Sequence, residues 1–281
     1  MLTVRTRAEL RRIVDDWRAA GAQIAIVPTM GALHAGHTSL VALARQRAER
    51  VIATIFVNPM QFDQASDLAA YPRSEAEDTA KLEALGVDLL YAPGVEQIYP
   101  EGFETTISVT RASCGLCGDY RPGHFDGVAT VVTKLFLQTA ANLAVFGEKD
   151  YQQLHIVRRL ARDLDIPVEI VAGPTVREPD GLALSSRNVR LTPDQRAIAP
   201  ALPQALFAAA ERLAEGGPVA AAVAAAGARI LHAGFEELEY LELRDEATLR
   251  PLQTLDGPAR LLAAAWLGGV RLIDNVAVAP A

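Results

Sequence analysis

The chain has 281 residues, of which 50% are hydrophobic and 22% charged, with a net charge of −7 and a pI near 5.3. This composition predicts globular domains with a sizeable core rather than disorder. The acidic balance argues against nucleic-acid binding, which needs a basic surface. No apolar run reaches the roughly 18 residues of a membrane helix. The charged N-terminus also lacks a signal peptide's apolar core, so we expect a cytoplasmic protein that does not bind membranes.

The first 175 residues alternate between strand and helix patterns. The predicted strands lie at 24–27, 51–57, 87–91, 143–146 and 168–171. The predicted helices lie at 1–20, from Gly36 to about residue 50, at 74–85, at 125–138 and from Asp150 onward. Pro28 is expected to end the first strand because proline has no N–H, and Ser74 with Glu77 is interpreted as a capping box. Residues 58–73 are interpreted as a long loop or short irregular helix, and 105–110 as a short edge strand.

This alternation predicts an α/β fold with a doubly wound, Rossmann-like parallel sheet. The pattern changes after Gly173-Pro174. Helices are predicted at 193–215 and 217–233, followed by strands at 239–243, 260–267 and 270–278. Gly268-Gly269 predicts a hairpin between the last two strands. We therefore predict a Rossmann-like domain over 1–175 and a smaller C-terminal α+β domain over 176–281.

The most informative stretch is the link from the first strand to its helix, residues 24–37. Its glycines permit a sharp turn or a close approach to a ligand. The start of a helix carries N–H groups and a positive dipole end, which suit a phosphate. His34 and His37 add two further donors. The alternative is an ordinary turn with two solvated histidines.

Polar residues also follow the other strands, and the carboxyl ends of parallel strands meet at one edge of a sheet. Candidate phosphate ligands are Lys149, Ser185, Ser186 and Arg187. Gln61 and Gln153 suit a substrate with hydroxyl and carboxylate groups, and Asp150 suits ribose hydroxyls or a helix cap. Each residue alone is more often a surface group. Together, without a hydrolase motif such as G-x-S-x-G, they favour nucleotidyl transfer, in which cations stabilise an α-phosphate under attack.

Cys114 and Cys117 form a C-x-x-C pair. Such a pair is either a redox dithiol or half of a zinc site. Gly115, Gly118 and Pro122 indicate a loop, and no second ligand pair follows nearby. We therefore expect incidental cysteines in a reducing compartment, and we predict no metal site made of protein ligands.

Five segments in order resemble the pantothenate synthetase (pantoate–β-alanine ligase) family of the HIGH-motif nucleotidyltransferase superfamily. They are Pro28–His37, Phe56–Phe62, Arg121–Val128, Phe146–Gln153 and Leu184–Asn188. The resemblance runs from about residue 24 to the end and includes Arg271–Asn275. It implies a condensation of pantoate with β-alanine through a pantoyl adenylate, with ATP and Mg²⁺, in coenzyme A biosynthesis. It also implies a homodimer and a C-terminal domain that acts as a lid.

The resemblance also implies roles for individual residues. Those implied to bind ATP are Met30, Gly31, Ala32, Leu33, His34, Ala35, Gly36, His37, Gly147, Glu148, Lys149, Asp150, Val176, Leu184, Ser185, Ser186 and Arg187. Those implied to be catalytic are His34, His37, Lys149, Ser185, Ser186 and Arg187. Gln61, Gln153 and Asn58 are implied to bind substrate, and Tyr71 and Arg121 are weaker candidates near the amine subsite or lid.

One position departs from the family pattern. Ala35 stands where relatives often carry glutamate, so the turn is expected to be looser if that carboxylate orders it. Two rival functions remain at this point. One is a nucleotidylyltransferase acting on a phosphorylated acceptor, which would need basic residues in the second pocket. The other is a non-catalytic nucleotide sensor, which would not need the candidate phosphate ligands.

Overall fold

The computed structural model describes residues 1–62 and 65–281, and the chain forms two compact units. The first unit contains residues 1–113, 121–148 and 153–174, and the second contains 114–120, 149–152 and 175–281. The two separate domains predicted at 1–175 and 176–281 stay a prediction. Within the described ranges, no helix is long and apolar enough to cross a membrane.

Nine strands and eleven α-helices are described, in the following chain order. The strands are β1 Leu2–Val4, β2 Ile24–Thr29, β3 Arg50–Ile55, β4 Leu89–Tyr91, β5 Leu143–Gly147, β6 Glu169–Gly173, β7 Glu237–Asp245, β8 Ala259–Leu267 and β9 Val270–Val278. The helices are α1 Arg7–Ala19, α2 Ala35–Arg47, α3 Ala65–Ala70, α4 Glu75–Ala84, α5 Val95–Ile98, α6 Cys117–Tyr120, α7 His124–Thr139, α8 Tyr151–Asp163, α9 Pro193–Ile198, α10 Ala201–Ala214 and α11 Val219–His232. Short 3₁₀ turns lie at Pro59–Gln61, Glu148–Asp150 and Asn188–Arg190.

The first unit contains a six-stranded sheet in the order β1-β4-β3-β2-β5-β6, and its strand pairs are parallel. This confirms the predicted α/β class. The central strands carry apolar residues on both faces, as expected where helices cover the two sides of a parallel sheet. Ile24, Ile26 and Ile52 are fully buried in this core. The carboxyl ends of β2 and β3 are level, because Thr29 pairs with Ile55.

The second unit contains the antiparallel sheet β7-β8-β9. The predicted hairpin at Gly268-Gly269 is confirmed, with both glycines at positive φ (59° and 70°), as a tight two-residue turn between strands requires. Helices α10 and α11 pack on this sheet through a shared core. Leu206, Ile230 and Leu261 are fully buried there. The second unit is therefore an α+β layer.

Three helix or strand predictions are wrong. Residues 1–20 are not one helix, because Leu2–Val4 pair in parallel with Leu89–Tyr91 and α1 begins only after the Thr6 cap. Residues 193–215 form two helices, since Pro200 stands between α9 and α10 and a proline removes a helical hydrogen bond. Residues 105–110 form no strand; the N–H of Ile107 bonds to Thr130 Oγ1 instead.

Pro28 does not end its strand. β5 pairs with β2 only at Ala25 and Ile26, so Pro28 lies beyond that pairing and its missing N–H costs no bond there. On the other side the register with β3 continues through Pro28 to Thr29. The long loop predicted at 58–73 contains a 3₁₀ turn and α3, while residues 63–64 lie outside the described residues.

Candidate active site

The turn after β2 has an unusual backbone in two consecutive residues. Gly31 has φ +82° and Ala32 has φ +51°, and the second value is uncommon for a residue with a side chain. Thr29 holds the start of the turn, because its Oγ1 accepts from Gly31 N–H at 3.2 Å and donates to Thr54 O at 2.6 Å. The glycine-bearing turn predicted from the sequence is therefore present.

The turn is held from outside by α4. The buried carboxylate of Asp78 accepts hydrogen bonds from the N–H groups of Ala32 (2.7 Å) and Leu33 (2.8 Å). Lys81 Nζ donates to the carbonyl oxygen of Leu33 at 2.8 Å. Sequence reasoning missed Asp78, although its four-residue spacing from Leu82 places it on the apolar face of α4, where a charged residue is unusual.

The predicted capping box at Ser74 is wrong. Ser74 is the cap residue of α4, but its hydroxyl makes no bond to the helix backbone. Its Oγ instead donates to Asp78 Oδ2 at 3.0 Å. The Ser74 side chain therefore helps to orient the carboxylate that holds the turn, instead of bonding to the helix backbone.

His34 and His37 cap the first turn of α2 reciprocally. His34 Nδ1 accepts from the N–H of Gly36 at 3.1 Å, and His37 Nδ1 accepts from the N–H of His34 at 3.3 Å. Their ring centroids are 4.1 Å apart. An Nδ1 atom that accepts a hydrogen bond carries no proton, so the proton of each neutral ring is on Nε2. Both imidazoles therefore act as Nε2–H donors.

The N–H groups expected to bind a phosphate are partly engaged within the protein. Those of Ala32 and Leu33 bond to Asp78, and that of Gly36 bonds to His34. Any anion at this turn therefore meets the imidazole Nε2–H groups rather than these three main-chain donors.

Asn58 follows β3 in the chain and is buried (1% exposed), with hydrogen bonds at both ends of its side-chain amide. Its Nδ2 donates to Gln61 Oε1 (3.0 Å) and to Gly127 O (3.1 Å), while its Oδ1 accepts from Met60 N–H (3.3 Å) and Tyr99 OH (2.8 Å). These partners use both protons and both lone pairs of the amide. The role of Asn58 at the site is therefore to orient the side chain of Gln61 through this hydrogen bond.

The orientation of the Gln61 amide follows from that contact. Because Oε1 accepts from Asn58, Nε2 is the donor end, and it lies 3.1 Å from Met30 Sδ. The structure therefore brings together two predicted site residues, Gln61 and Met30, from neighbouring strand ends. Gln61 presents N–H donors, which suit carboxylate or hydroxyl oxygens.

The main chain of Gln61 is held by α7 and the turn before it. Arg121 Nη2 donates to Gln61 O at 3.2 Å, and His124 Nδ1 lies 2.7 Å from the same oxygen. A ring nitrogen that faces a carbonyl oxygen donates, so His124 Nε2 is the acceptor for Arg121 Nη1 at 3.2 Å. Arg121, a weaker candidate for the amine subsite, therefore helps to hold the main chain of Gln61 in place. Tyr71, the other weaker candidate, is buried and packs edge-on against Phe62.

In the second unit, Lys149 is held through its main chain and its side chain. Asn275 Nδ2 donates to Lys149 O at 2.9 Å, and Lys149 Nζ lies 3.7 Å from Asp150 Oδ1. Asn275 Oδ1 in turn accepts from Arg260 Nη1 at 2.7 Å, and Arg260 lies over the ring of Tyr151 at 3.8 Å. The residues 271–275 singled out in the sequence thus include a support for Lys149.

A second contact set brings Val176 to the Ser-Ser-Arg segment. Leu184 N–H donates to Val176 O at 3.0 Å, which closes the loop between them. Ser185 Oγ accepts from Arg187 N–H at 3.2 Å and so shapes the turn. Five predicted ATP-binding residues therefore form one local unit: Val176, Leu184, Ser185, Ser186 and Arg187.

Arg177 and Asp274 hold this loop. Arg177 Nη1 and Nη2 bond to the two carboxylate oxygens of Asp274 at 2.6 and 2.9 Å. The Asp274 side chain is only 1% exposed, and Arg177 Nη1 also donates to Gly181 O. A bidentate pair of this kind fixes orientation as well as charge.

The remaining predicted residues have simpler surroundings. Gly147 ends β5 and pairs with Gly173, and Glu148 begins the 3₁₀ turn that follows. Gln153 is partly exposed in the first turn of α8. Cys114 and Cys117 are both thiols and form no disulfide bond with each other. Among residues 1–62 and 65–281, no group of three His, Cys, Asp or Glu side chains is arranged to hold a metal ion.

Comparison with known proteins shows the family of the chain. The family model for pantoate-beta-alanine ligase matches residues 2–277. The pantothenate synthetase of Chelativorans sp. (strain BNC1) is 66% identical over 275 residues, which cover 98% of this chain and 97% of that protein.

Two solved structures extend the agreement to the fold. Pantothenate synthetase from Thermus thermophilus has a TM-score of 0.94 at 48% identity, with 100% of both chains covered. The pantoate-beta-alanine ligase of Francisella tularensis, complexed with beta-gamma ATP and beta-alanine, has a TM-score of 0.83 at 35% identity, covering 98% of this chain and 97% of that one. This chain belongs to the pantoate–β-alanine ligase family.

Proposed function

We propose that this chain condenses pantoate with β-alanine to form pantothenate, consuming ATP and releasing AMP and pyrophosphate. Membership of the ligase family supports the reaction, and the Francisella relative was solved in complex with beta-gamma ATP and beta-alanine. The observation that carries the proposal is the pair of imidazoles on the turn after β2, both presenting Nε2–H.

The first step is attack of a pantoate carboxylate oxygen on the α-phosphorus of ATP. A bond forms between that oxygen and phosphorus, the bond from phosphorus to the bridging oxygen breaks, and pyrophosphate leaves with the electron pair. Negative charge grows on the bridging oxygen as it leaves. Donors that are already oriented before the reaction stabilise such charge without further reorganisation. We assign this role to His34 and His37.

The second step is attack of the neutral β-alanine nitrogen on the carbonyl carbon of the acyl adenylate. The new C–N bond replaces the C–O bond to AMP, and the nitrogen loses a proton. AMP leaves with the oxygen that came from pantoate. Activation as an adenylate is required because a free carboxylate is a poor acyl donor.

In the second unit we assign four groups to the ATP phosphates. These are Lys149, Ser185, Ser186 and Arg187. A lysine ammonium acts as a point charge, whereas arginine grips phosphate oxygens with a planar fork. Two contacts support this part of the proposal. Asn275 donates to Lys149 O and so holds the main chain at Lys149, and Arg177 donates to Asp274, which holds the loop that contains Arg177.

The other ATP contacts are assigned by their place in the chain. Main-chain and small residues suited to ribose and phosphate are Met30, Gly31, Ala32, Leu33, Ala35, Gly36, Gly147, Glu148 and Asp150. Val176 is assigned to the adenine ring. Since two N–H groups of the first turn already bond to Asp78, the assigned role of Ala32 and Leu33 is to shape the turn against the nucleotide.

Pantoate is assigned to Gln61 and Gln153. Gln61 offers an N–H donor end, because Asn58 occupies its oxygen. Pantoate carries one carboxylate and two hydroxyls, so amide donors and acceptors suit it. Asn58, predicted as a substrate ligand, is assigned to the same subsite through its bond to Gln61.

Mg²⁺ is assigned to the nucleotide rather than to protein ligands. It prefers oxygen ligands in octahedral geometry and keeps several waters, so ATP phosphates and water satisfy it. Bound there, Mg²⁺ would neutralise phosphate charge.

Two further expectations complete the proposal. We expect a homodimer, which light scattering on the purified protein tests by its mass. We also expect a cytoplasmic location, which fractionation of the source cells tests.

Pyrophosphate release tests the function. With ATP and pantoate we expect release that stops near one equivalent per active site when β-alanine is absent and the adenylate stays bound, and sustained turnover when β-alanine is added. Release only with a phosphorylated acceptor, and none with pantoate, would show that the chain is a nucleotidylyltransferase of another kind.

A further inference from the structure

The turn after β2 resembles a nest of main-chain N–H groups that binds an anion, and the anion here is the carboxylate of a side chain of the same protein. In such a nest, successive main-chain N–H groups of a turn point towards one acceptor. That acceptor is the carboxylate of Asp78, 2.7 Å from Ala32 N and 2.8 Å from Leu33 N. The side chain is 0% exposed, so these hydrogen bonds form away from water, where they are stronger.

The fit around this carboxylate is close. A Cβ added to Gly31 would lie 3.2 Å from Asp78 Oδ2 and 3.3 Å from Ile55 Cγ2. Ser74 Oγ donates to the same Oδ2 at 3.0 Å, and Lys81 Nζ lies 3.8 Å from Oδ1. Donors on three sides leave the carboxylate one orientation, in which each oxygen faces one N–H of the turn.

Resting on the proposed function, we propose that Asp78 is a positioning residue for ATP: it holds the turn in the conformation that directs His34 and His37 at the phosphates. The positive φ of Ala32 (+51°) costs free energy, because a residue with a side chain rarely adopts it. The two charge-assisted bonds from Asp78 offset that cost. His34 follows Leu33 directly, so a turn that relaxed would move the cap residue and both imidazoles.

The same contact explains how this chain tolerates Ala35. The turn obtains a carboxylate from α4, a separate segment, so it does not depend on a carboxylate within itself. The looser turn expected with Ala35 stays a prediction, and Asp78 supplies a carboxylate that holds the turn from α4.

Asp78→Asn tests the proposal by the affinity for ATP, measured by calorimetry. Asparagine keeps the size of the side chain, but it places an NH₂ group opposite one N–H of the turn. We expect the Kd for ATP to rise about 10-fold, which corresponds to about 1.4 kcal/mol, with KM for β-alanine within a factor of two of the parent.

Asp88→Asn is the matched control. Asp88 is also a shielded carboxylate of the first unit that accepts from a main-chain N–H, that of Val51, and it pairs with Arg45 and Arg50. It lies beside the amino end of β3, away from the turn. We expect this variant to lose stability while its Kd for ATP stays at the parent value.

Ser74→Ala covers the case in which Asp78→Asn does not fold. It removes one donor to Asp78 and leaves the charge, and we expect a two- to three-fold rise in the Kd for ATP. Parent-like affinity in the folded Asp78 and Ser74 variants, or an equal loss in the Asp88 control, would overturn the proposal. A parent protein that binds ATP but makes no pantothenate would count against the proposed function and not against the role of Asp78.

Discussion

His37 Nδ1 accepts a hydrogen bond from the N–H of His34, and His34 Nδ1 caps α2 by accepting from Gly36. The two histidines thus have a structural task at one ring nitrogen and a chemical task proposed for the other. Substitution by alanine removes both tasks at once. Variants that keep the cap and remove the imidazole separate them.

His37→Gln keeps the cap, because a glutamine at the third helical position completes a capping box. We expect kcat to fall about 10²–10³-fold, the loss typical when a donor to a developing negative charge is removed. His37→Ala should lose as much activity and, in addition, about 1 kcal/mol of stability with the cap. Steady-state kinetics and thermal melting of both variants decide this. A His37→Gln enzyme with the parent rate would leave His37 with its capping role alone.

Gln61→Glu keeps the oxygen that accepts from Asn58 and replaces the outward amide by a carboxylate oxygen. Facing the carboxylate of pantoate, it loses a hydrogen bond to a charged group and adds repulsion. We expect KM for pantoate to rise by 10-fold or more, consistent with about 1.5–3 kcal/mol for such a bond, while KM for ATP changes little. Gln97→Glu adds the same charge on α5, where the side chain accepts from Arg7 N–H, and should leave both constants unchanged. Equal effects on the two substrates would contradict the assignment.

Asp274→Ala leaves Arg177 without the partner of its bidentate pair. Breaking a buried pair from one side costs about 3–5 kcal/mol, so we expect a large fall in the denaturant midpoint. Asp180→Ala is the comparison, since it breaks the much more exposed pair with Arg196 and should cost less than about 1 kcal/mol. Similar midpoints for the two variants would show that the Arg177 pair does not hold its loop.

The buried Tyr91 is expected to make the free energy of unfolding fall at high pH. Burial raises the pKa of Tyr91 from 10.0 to about 12 in the folded protein, where its OH donates to Gln138 Oε1 at 2.9 Å. A raised folded pKa means that the stability is fully present below pH 10 and is lost between pH 10 and pH 12, because the unfolded chain releases the proton first. In Tyr91→Phe, the fall in unfolding free energy between pH 8 and pH 11.5 should be smaller by about 2 kcal/mol. An identical fall in parent and variant would be evidence against a neutral, buried Tyr91.

Much of the fold was predictable because it follows local patterns. The strands from β2 to β6 are short apolar runs between turn residues, and each appears in the parallel sheet. The failures came where tertiary contacts outweigh local preference. Leu2–Val4 pair with β4, a strand far along the chain. Pro28 stays within β2 because its neighbour β5 has already ended its pairing.

The candidate site was predictable as a set of residues and not as a set of contacts. Residue types and their order after the strands are enough to propose His34, His37, Gln61 and Lys149 as candidates. Asp78 was missed, and so was the role of Asn275 as a support for Lys149, because both roles depend on which main-chain atoms the side chains contact, and spacing along the sequence does not reveal this. Asn58 is another example, because only its four hydrogen-bond partners show that its side chain orients Gln61.

The fate of one oxygen atom tests whether pantoate is activated as an adenylate. Pantoate labelled with ¹⁸O in its carboxylate is incubated with enzyme, ATP and β-alanine, and the phosphate products are analysed by mass spectrometry. Activation as an adenylate predicts one ¹⁸O in each AMP and none in pyrophosphate, because the attacking oxygen stays with the α-phosphorus when the C–O bond breaks. Unlabelled AMP, or label in inorganic phosphate beside ADP, would contradict the proposed mechanism.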